Sequence, residues 1–363
     1  MKQSMPLFPV PAEVRHECTS WIVFGDLTRN FTTILHKNRD ASARAITVLL
    51  GPEDSPYRWI GLGDDNLPCM GINRAGLAGV MNSGEICVDP STDDSKKITP
   101  QILHAILGSC GSAAQAAEML QDFLRQGDYW HGKYGSIFLF ADTREGLICE
   151  MTAKTCNVQR IDHGLVCRAN IWHNPGMEAF SRHPQHAFLD SSVREHVVRS
   201  ALGAVLDAGG AITPADLLEL SRCCTVPEDS PLKRSVCSES TNSACDLVID
   251  LEFPETLSTM HALIGPPRNT VLLPFPVCVT QLDPRVSRPV FSAAAFQRFD
   301  QLGYAAPIPA EWSKFEEDAL VCYGRASEDA RLRLRQGRRS EAENLLNRAS
   351  SELCAQAARL LKL

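Results

Sequence analysis

The chain has 363 residues, 44% of them hydrophobic and 22% charged, with a formal net charge of −7. That is the composition of a soluble globular protein with room for one large catalytic domain and a small appendage, or for two modest domains, and it offers no basic field to a phosphate backbone, so no nucleic-acid partner is expected. The longest apolar runs, such as residues 137–141, are far too short to cross a bilayer, which excludes a membrane span.

Residues 1–17 read as a short irregular leader with prolines at 9 and 11 and no apolar stretch of the export-signal type. Residues 19–24 and 31–36 are rich in β-branched and aromatic side chains around a polar turn, which predicts a hairpin. Further strands are expected at 44–50 and 57–61, and a tight turn at 73–76 joins two more. Apolar residues recur every three or four positions at 99–107 and 113–125, predicting helices. Strands return at 136–141, 146–152 and 164–169. Helices follow at 191–207 and 214–223, the second with Thr213 as N-cap and Pro214 at its first position. Residues 245–251 and 259–264 read as closing strands, and the chain from 313 onward is strongly helix-forming. This order predicts an α+β fold in four layers, αββα, with mainly antiparallel sheets and a helical C-terminal extension over 301–363 beyond a catalytic domain at 18–300. The extension's mixed charges and Leu/Ala face suggest packing on the core or on a second copy, a homo-oligomer contact. Gly61-Leu62-Gly63 lacks the third glycine and following helix of a dinucleotide fingerprint.

Fourteen cysteines are scattered through the chain without a Cys-x-x-Cys pair. With no export signal, they are expected to be mostly reduced thiols in a cytoplasmic protein, without a metal or cofactor. Cys18 stands out because the next strand ends in Lys37-Asn38-Arg39-Asp40. If the two strands pair, a cation and a carboxylate three positions apart come to lie beside the thiol. The bland alternative is a buried cysteine and a solvated hairpin end.

Cys18-Thr19 followed by this tetrapeptide resembles the N-terminal-nucleophile hydrolases of the choloylglycine hydrolase, penicillin acylase and isopenicillin N acyltransferase group. There a Cys-Thr dipeptide opens the mature chain, and an Arg/Lys/Gln-Asn-x-Asp string follows about twenty residues on. The likeness extends over residues 17–275. It includes Gly71-Ile72-Asn73-Arg74-Ala75-Gly76-Leu77 leading to Asn82, Asp142 in a turn before a strand containing Glu150, Asn170, the Ser191-Ser192-Val193-Arg194 helix start, and Gly265-Pro266-Pro267. The resemblance implies that Cys18 is the nucleophile, that Asp40 orients a new amino terminus, and that Asn170 and the backbone near Asn82 or Ser83 bind an oxyanion. It also places Lys37 and Arg194 beside the site.

Cutting between Glu17 and Cys18 would give Cys18 an α-amino group of pKa about 7.7, a built-in general base for a thiol of pKa about 8.5. The implied reaction is cleavage of a linear amide through an acyl-thioester, with water or an amine as acceptor and the leader as plug of a zymogen. Loss of one oxyanion donor in Asn170→Ala would slow it about a hundredfold or more. Two other readings fit the same residues: a dipeptidase with an N-terminal Cys, whose family carries a similar Lys-Asn-Ser-Asp string, and a non-catalytic binding protein left uncut. The small-molecule substrate depends on loops such as 51–56, 84–98, 125–135 and 225–243. His131, His163 and His173 read as ordinary core or surface histidines, and Glu150 as a strand-end carboxylate held by hydrogen bonds.

Overall fold

The computed structural model describes residues 18–182, 184–225 and 235–363, and side chains throughout these except 184–189. The expected leader 1–17, its junction at Glu17 and part of the expected pocket loop 225–243 lie outside the described residues. Among the described residues the strands form two antiparallel sheets. Six make the first, in the spatial order β10 (Leu165–Arg168), β1 (Thr19–Val23), β2 (Thr33–Asp40), β11 (Thr241–Ile249), β12 (Thr259–Leu263) and β13 (Leu272–Pro276). Seven make the second as a meander in chain order: β3 (Thr47–Leu50), β4 (Trp59–Asp64), β5 (Leu67–Asn73), β6 (Ala78–Ile86), β7 (Tyr134–Ala141), β8 (Gly146–Met151) and β9 (Cys156–Ile161).

Strand β7 shows why the sheets stack. Successive side chains point to opposite faces, and both faces of this strand are apolar. Ile137, Leu139 and Ala141 join the core between the sheets, with Ile22, Leu35 and Leu247 of the first sheet. Phe138 and Phe140 face outward and lie under α1 (Thr99–Ser109) and α2 (Ala113–Arg125), whose Ile102, Leu103, Ile106 and Leu120 complete that cluster. On the other side, Trp21, Val23 and Ile34 are covered by Val198 and Leu202 of α3 (Pro184–Asp207) and by Leu217 and Leu220 of α4 (Pro214–Ser221). The result is the expected αββα order of layers. Thr213 caps α4 in a reciprocal capping box with Asp216, ahead of Pro214.

Two single-turn helices, α5 (Pro254–Leu257) and α6 (Pro284–Ser287), precede α7 (Val290–Leu302), α8 (Ala310–Arg335) and α9 (Arg339–Leu360). Helix α7 runs past residue 300, so the joint to the C-terminal helices falls at Gly303, whose φ of 77° ends the helix. Helices α8 and α9 form a hairpin broken at Gly337, and Ala326, Ala330 and Leu334 pack on Ala342, Leu346 and Leu353. The pair lies on its own chain's core: Ser350 Oγ donates to the Pro274 carbonyl of β13 at 2.7 Å, and Glu316 forms a buried ion pair with Arg222 at 2.6 Å.

The structure differs from the sequence reading in three respects, the first two for physical reasons. Strand β2 starts at Thr33 because Phe31 occupies the left-handed region, φ 52°, in the turn, and it continues through the motif to Asp40. Strands β9 and β13 are absent from the sequence pattern. Both are edges: β9 is largely polar, and β13 reads Leu-Leu-Pro-Phe-Pro, whose prolines a sheet accepts only at an edge. Helix α3 begins at Pro184, ahead of the expected Ser191.

Candidate active site

Strands β1 and β2 pair with Thr19 opposite Asn38 and Ser20 opposite Lys37. One step further the register sets Arg39 across from Cys18, which precedes β1. Alternation turns Trp21 to the outer helices and Ile22 to the space between the sheets. Ser20, of the same parity as Ile22, reaches across that space, its Oγ donating to Asn82 Oδ1 of β6 at 2.8 Å. Lys37 lies fully buried beside it. Its Nζ donates to the Met81 carbonyl at 2.6 Å and to Asn82 Oδ1 at 2.7 Å. The motif is therefore no solvated hairpin end.

Burial alone would push the Cys18 thiol up. It is instead held below the ordinary thiol value, because the Lys37 and Arg39 charges, a hydrogen bond from Lys37 and one from the Asp40 backbone N–H together outweigh the desolvation. Asp40 is shifted the other way. Burial and the neighbouring Cys18 sulfur push its carboxyl well above the usual range, against the opposing influence of Arg194, Thr241 and Lys37. Among the described residues, both of its oxygens are buried without a hydrogen-bond partner of regular geometry, an arrangement that costs stability unless a donor arrives.

On the far side of Cys18, β10 delivers Asn170. The Asn170 Nδ2 donates one hydrogen to the Ser83 carbonyl at 2.8 Å, leaving its second amide hydrogen uncommitted among the described residues. The orientation of this amide is set by Arg194 of α3, whose Nη2 donates to Asn170 Oδ1 at 2.8 Å. The Nη1 of the same guanidinium donates to the Cys18 carbonyl at 2.6 Å and to Thr19 Oγ1 at 2.8 Å. One planar fork thus ties the thiol-bearing residue to the asparagine. Asn82 differs, because its amide hydrogens go to the Arg168 and Ala169 carbonyls at 3.2 and 3.1 Å. It braces β10 and Lys37 with its whole side chain.

The remaining polar groups of the core stand apart from this centre. Glu150 accepts from Arg168 and from the His173 and Asn174 backbone, which fixes the segment after Asn170. His173 pairs with Glu195 at 3.0 Å, and Ser83 Oγ meets His131 Nε2 at 3.1 Å. A buried Ser221–His36–Asp246 row under α4 imitates a hydrolase triad, with separations of 3.2 and 2.6 Å. It cannot work as one. His36 Nε2 faces Asn38 Oδ1 at 2.8 Å, and the Asn38 amide donates to the Ser221 and Val236 carbonyls, so Oδ1 must accept and Nε2 presents a hydrogen instead of a base. A groove of about 1730 Å³ between α4 and α8, lined by Phe31, Leu218 and His261 among others, includes none of Cys18, Lys37, Asp40, Asn82, Asn170 or Arg194. The thiol centre remains the better candidate because reactive groups with displaced ionisation converge there. Among the described residues no group of three His, Cys, Asp or Glu side chains is placed to hold a metal ion.

Sequence reasoning missed Ser20, Asp64 and Cys69. Ser20 was accessible from strand alternation, being two residues past Cys18. Asp64 and Cys69, which belong to the surroundings of Arg39, carry no local signal, since only the stacking of the two sheets brings them near.

Two antiparallel sheets stacked between helical layers, with a buried thiol leading into β1, make an αββα sandwich, the fold that this chain shares with a solved bile acid hydrolase. No family model and no curated protein matches the sequence. Among solved structures, a variant of the conjugated bile acid hydrolase from Clostridium perfringens is similar, with a TM-score of 0.50 and 13% identity over 73% of this chain and 94% of that one. Penicillin V acylase from Agrobacterium tumefaciens gives 0.45 and 12% over 71% and 86%, and the Caenorhabditis elegans ortholog of N-acylethanolamine-hydrolyzing acid amidase gives 0.43 and 12% over 63% and 92%. The likeness of fold rests on the first of these.

Proposed function

We propose that this chain is a cysteine N-terminal-nucleophile enzyme that cleaves a linear amide through an acyl-thioester on Cys18, after cutting its own backbone between Glu17 and Cys18. One observation carries the reading: a buried thiol whose ionisation is eased by Lys37 and Arg39, set beside a buried carboxyl group, Asp40, for which no described residue supplies a hydrogen bond of regular geometry. The α-amino group freed at Cys18 would supply Asp40 with a donor, and the ammonium that it becomes on taking the thiol proton would offset the cost of charging that carboxyl group.

In the maturation step the Cys18 sulfur attacks the Glu17 carbonyl, the C–N bond breaks as the thioester forms, and water releases residues 1–17. In turnover the freed amine takes the thiol proton while the sulfur attacks the substrate carbonyl. The free hydrogen of Asn170 Nδ2 and backbone donors near Ser83 stabilise the oxyanion. The amine then hands its proton to the departing amine of the substrate. Water, or a second amine, resolves the thioester. Arg194 keeps Asn170 and the Cys18 carbonyl in fixed relation throughout.

Intact-mass measurement of the purified protein, with an amidase screen of N-acyl amino acids, acyl amines, β-lactams and dipeptides, tests this. The wild type should begin at Cys18 and turn over an amide, whereas Cys18→Ala should keep residues 1–17 and be inert. An active wild type still carrying those residues would overturn it. Asn170→Ala should lower kcat by about a hundredfold or more.

A further inference from the structure

Arg39 has a guanidinium edge with nothing to bind among the described residues. Its side chain is only 12% exposed, and one nitrogen, Nη2, makes both contacts to Asp64, at 3.2 and 3.1 Å. The other, Nη1, is buried and has no hydrogen-bond partner there. Two N–H donors of a cation are therefore withheld from water and from the protein at once, which is costly. They lie on the residue that the β1–β2 register sets opposite Cys18. The neighbouring Cys69 does not relieve them, because burial pushes that thiol up and keeps it neutral despite the arginine.

We propose that Arg39 is a specificity-determining residue that binds a carboxylate on the substrate, close to the bond that Cys18 attacks. This rests on the amide-cleaving reading above and narrows its substrate class to amides that carry an anionic group beside the scissile bond. The guanidinium fork suits a carboxylate better than a neutral carbonyl, since charge and two parallel donors act together. Asp64 engages the fork through Nη2 and leaves Nη1 without a partner among the described residues. Arg39 lies on the β2 side of Cys18 and Asn170 on the β10 side, so an anion held by Arg39 need not compete with the oxyanion.

Two measurements test the idea, one of them independent of turnover. The first is the rate at which Cys18 is alkylated by iodoacetate and by iodoacetamide, read by peptide mass spectrometry in the wild type, Arg39→Met and Arg39→Lys. The iodoacetate to iodoacetamide ratio should fall about tenfold or more in Arg39→Met and by less in Arg39→Lys, which keeps charge without the fork. Any general loss of thiolate reactivity cancels in that ratio. The second compares kcat/KM for an N-acylglycine and the matching N-acylglycinamide, where the wild type should favour the acid by about tenfold and Arg39→Met should lose the preference. A ratio unchanged within about twofold by Arg39→Met, in either measurement, overturns the role of Arg39 and leaves amide cleavage standing. Failure of the wild type to cleave any amide, with the alkylation ratio still falling, would instead sink the enzymatic reading and keep an anion site at Arg39.

Discussion

Lys37 brings a positive charge into the space between two sheets, where it donates to a carbonyl and an amide oxygen and also acts on the Cys18 sulfur through its charge and a hydrogen bond. Removing it in Lys37→Met should raise the pKa of Cys18 toward that of an ordinary buried thiol. The pH profile of iodoacetamide labelling at Cys18 then moves to higher pH, with about tenfold slower labelling at neutral pH. A profile unmoved by the substitution would mean that Lys37 only fills space. Asp40 carries the opposite sign. Its folded carboxyl is raised above the unfolded value, so the protein loses stability as pH rises from the unfolded value toward the folded one. Asp40→Asn should therefore increase the Tm of the uncut chain by a few degrees at neutral pH, with no gain at low pH, while abolishing release of residues 1–17. A Tm lowered at neutral pH would show that the charged form is the stable one.

Among the elements, the β5–β6 turn anchors β6, which carries Asn82 and Ser83, to α1. Asn73 ends β5 with all of its side-chain hydrogen bonding committed. Its Oδ1 accepts from the Ala75 and Leu77 backbone, and its Nδ2 donates to the Leu107 and Cys110 carbonyls at the end of α1. Gly76 completes the turn at φ 84°, where a Cβ would meet Pro254 at 2.7 Å. Asn73→Ala should destabilise the fold by about 3 kcal/mol in urea titration, since two buried carbonyls lose their partner. A loss under about 0.5 kcal/mol would place the anchoring elsewhere. The family resemblance makes the glycine-rich segment a signpost to Asn82. Its physical task is to lock a hairpin onto α1, which could be read from the sequence only as a turn.

For the whole molecule, the C-terminal helices are a wall of the domain, not an appendage. Glu316 of α8 pairs with Arg222 after α4 and also accepts from the Leu272 backbone, all of it buried. Breaking such a pair strands an unpaired charge, so Glu316→Leu should cost about 3–5 kcal/mol and lower a single cooperative unfolding transition. If instead only a separate C-terminal transition moved, the helices would be an independent unit. The boundary expected at residue 300 rests on the helix-forming pattern of the chain's end, and such a local pattern cannot register an ion pair across 94 positions.

The sequence by itself determined what short-range physics controls. The alternation and turn chemistry of residues 19–40 already required a hairpin, and a hairpin suffices to bring Cys18, Lys37 and Asp40 together. The capped helices and the αββα order were legible for the same reason, since each depends on neighbours a few positions apart. Tertiary structure alone decided the rest. Asn170 and Arg194 reach Cys18 because β10 pairs with β1 and α3 packs on the outer face of that sheet, while Asp64 and Cys69 approach Arg39 only when the two sheets bury their common apolar faces. Those contacts are set by the burial of whole surfaces, and no local pattern in the chain encodes where one surface meets another.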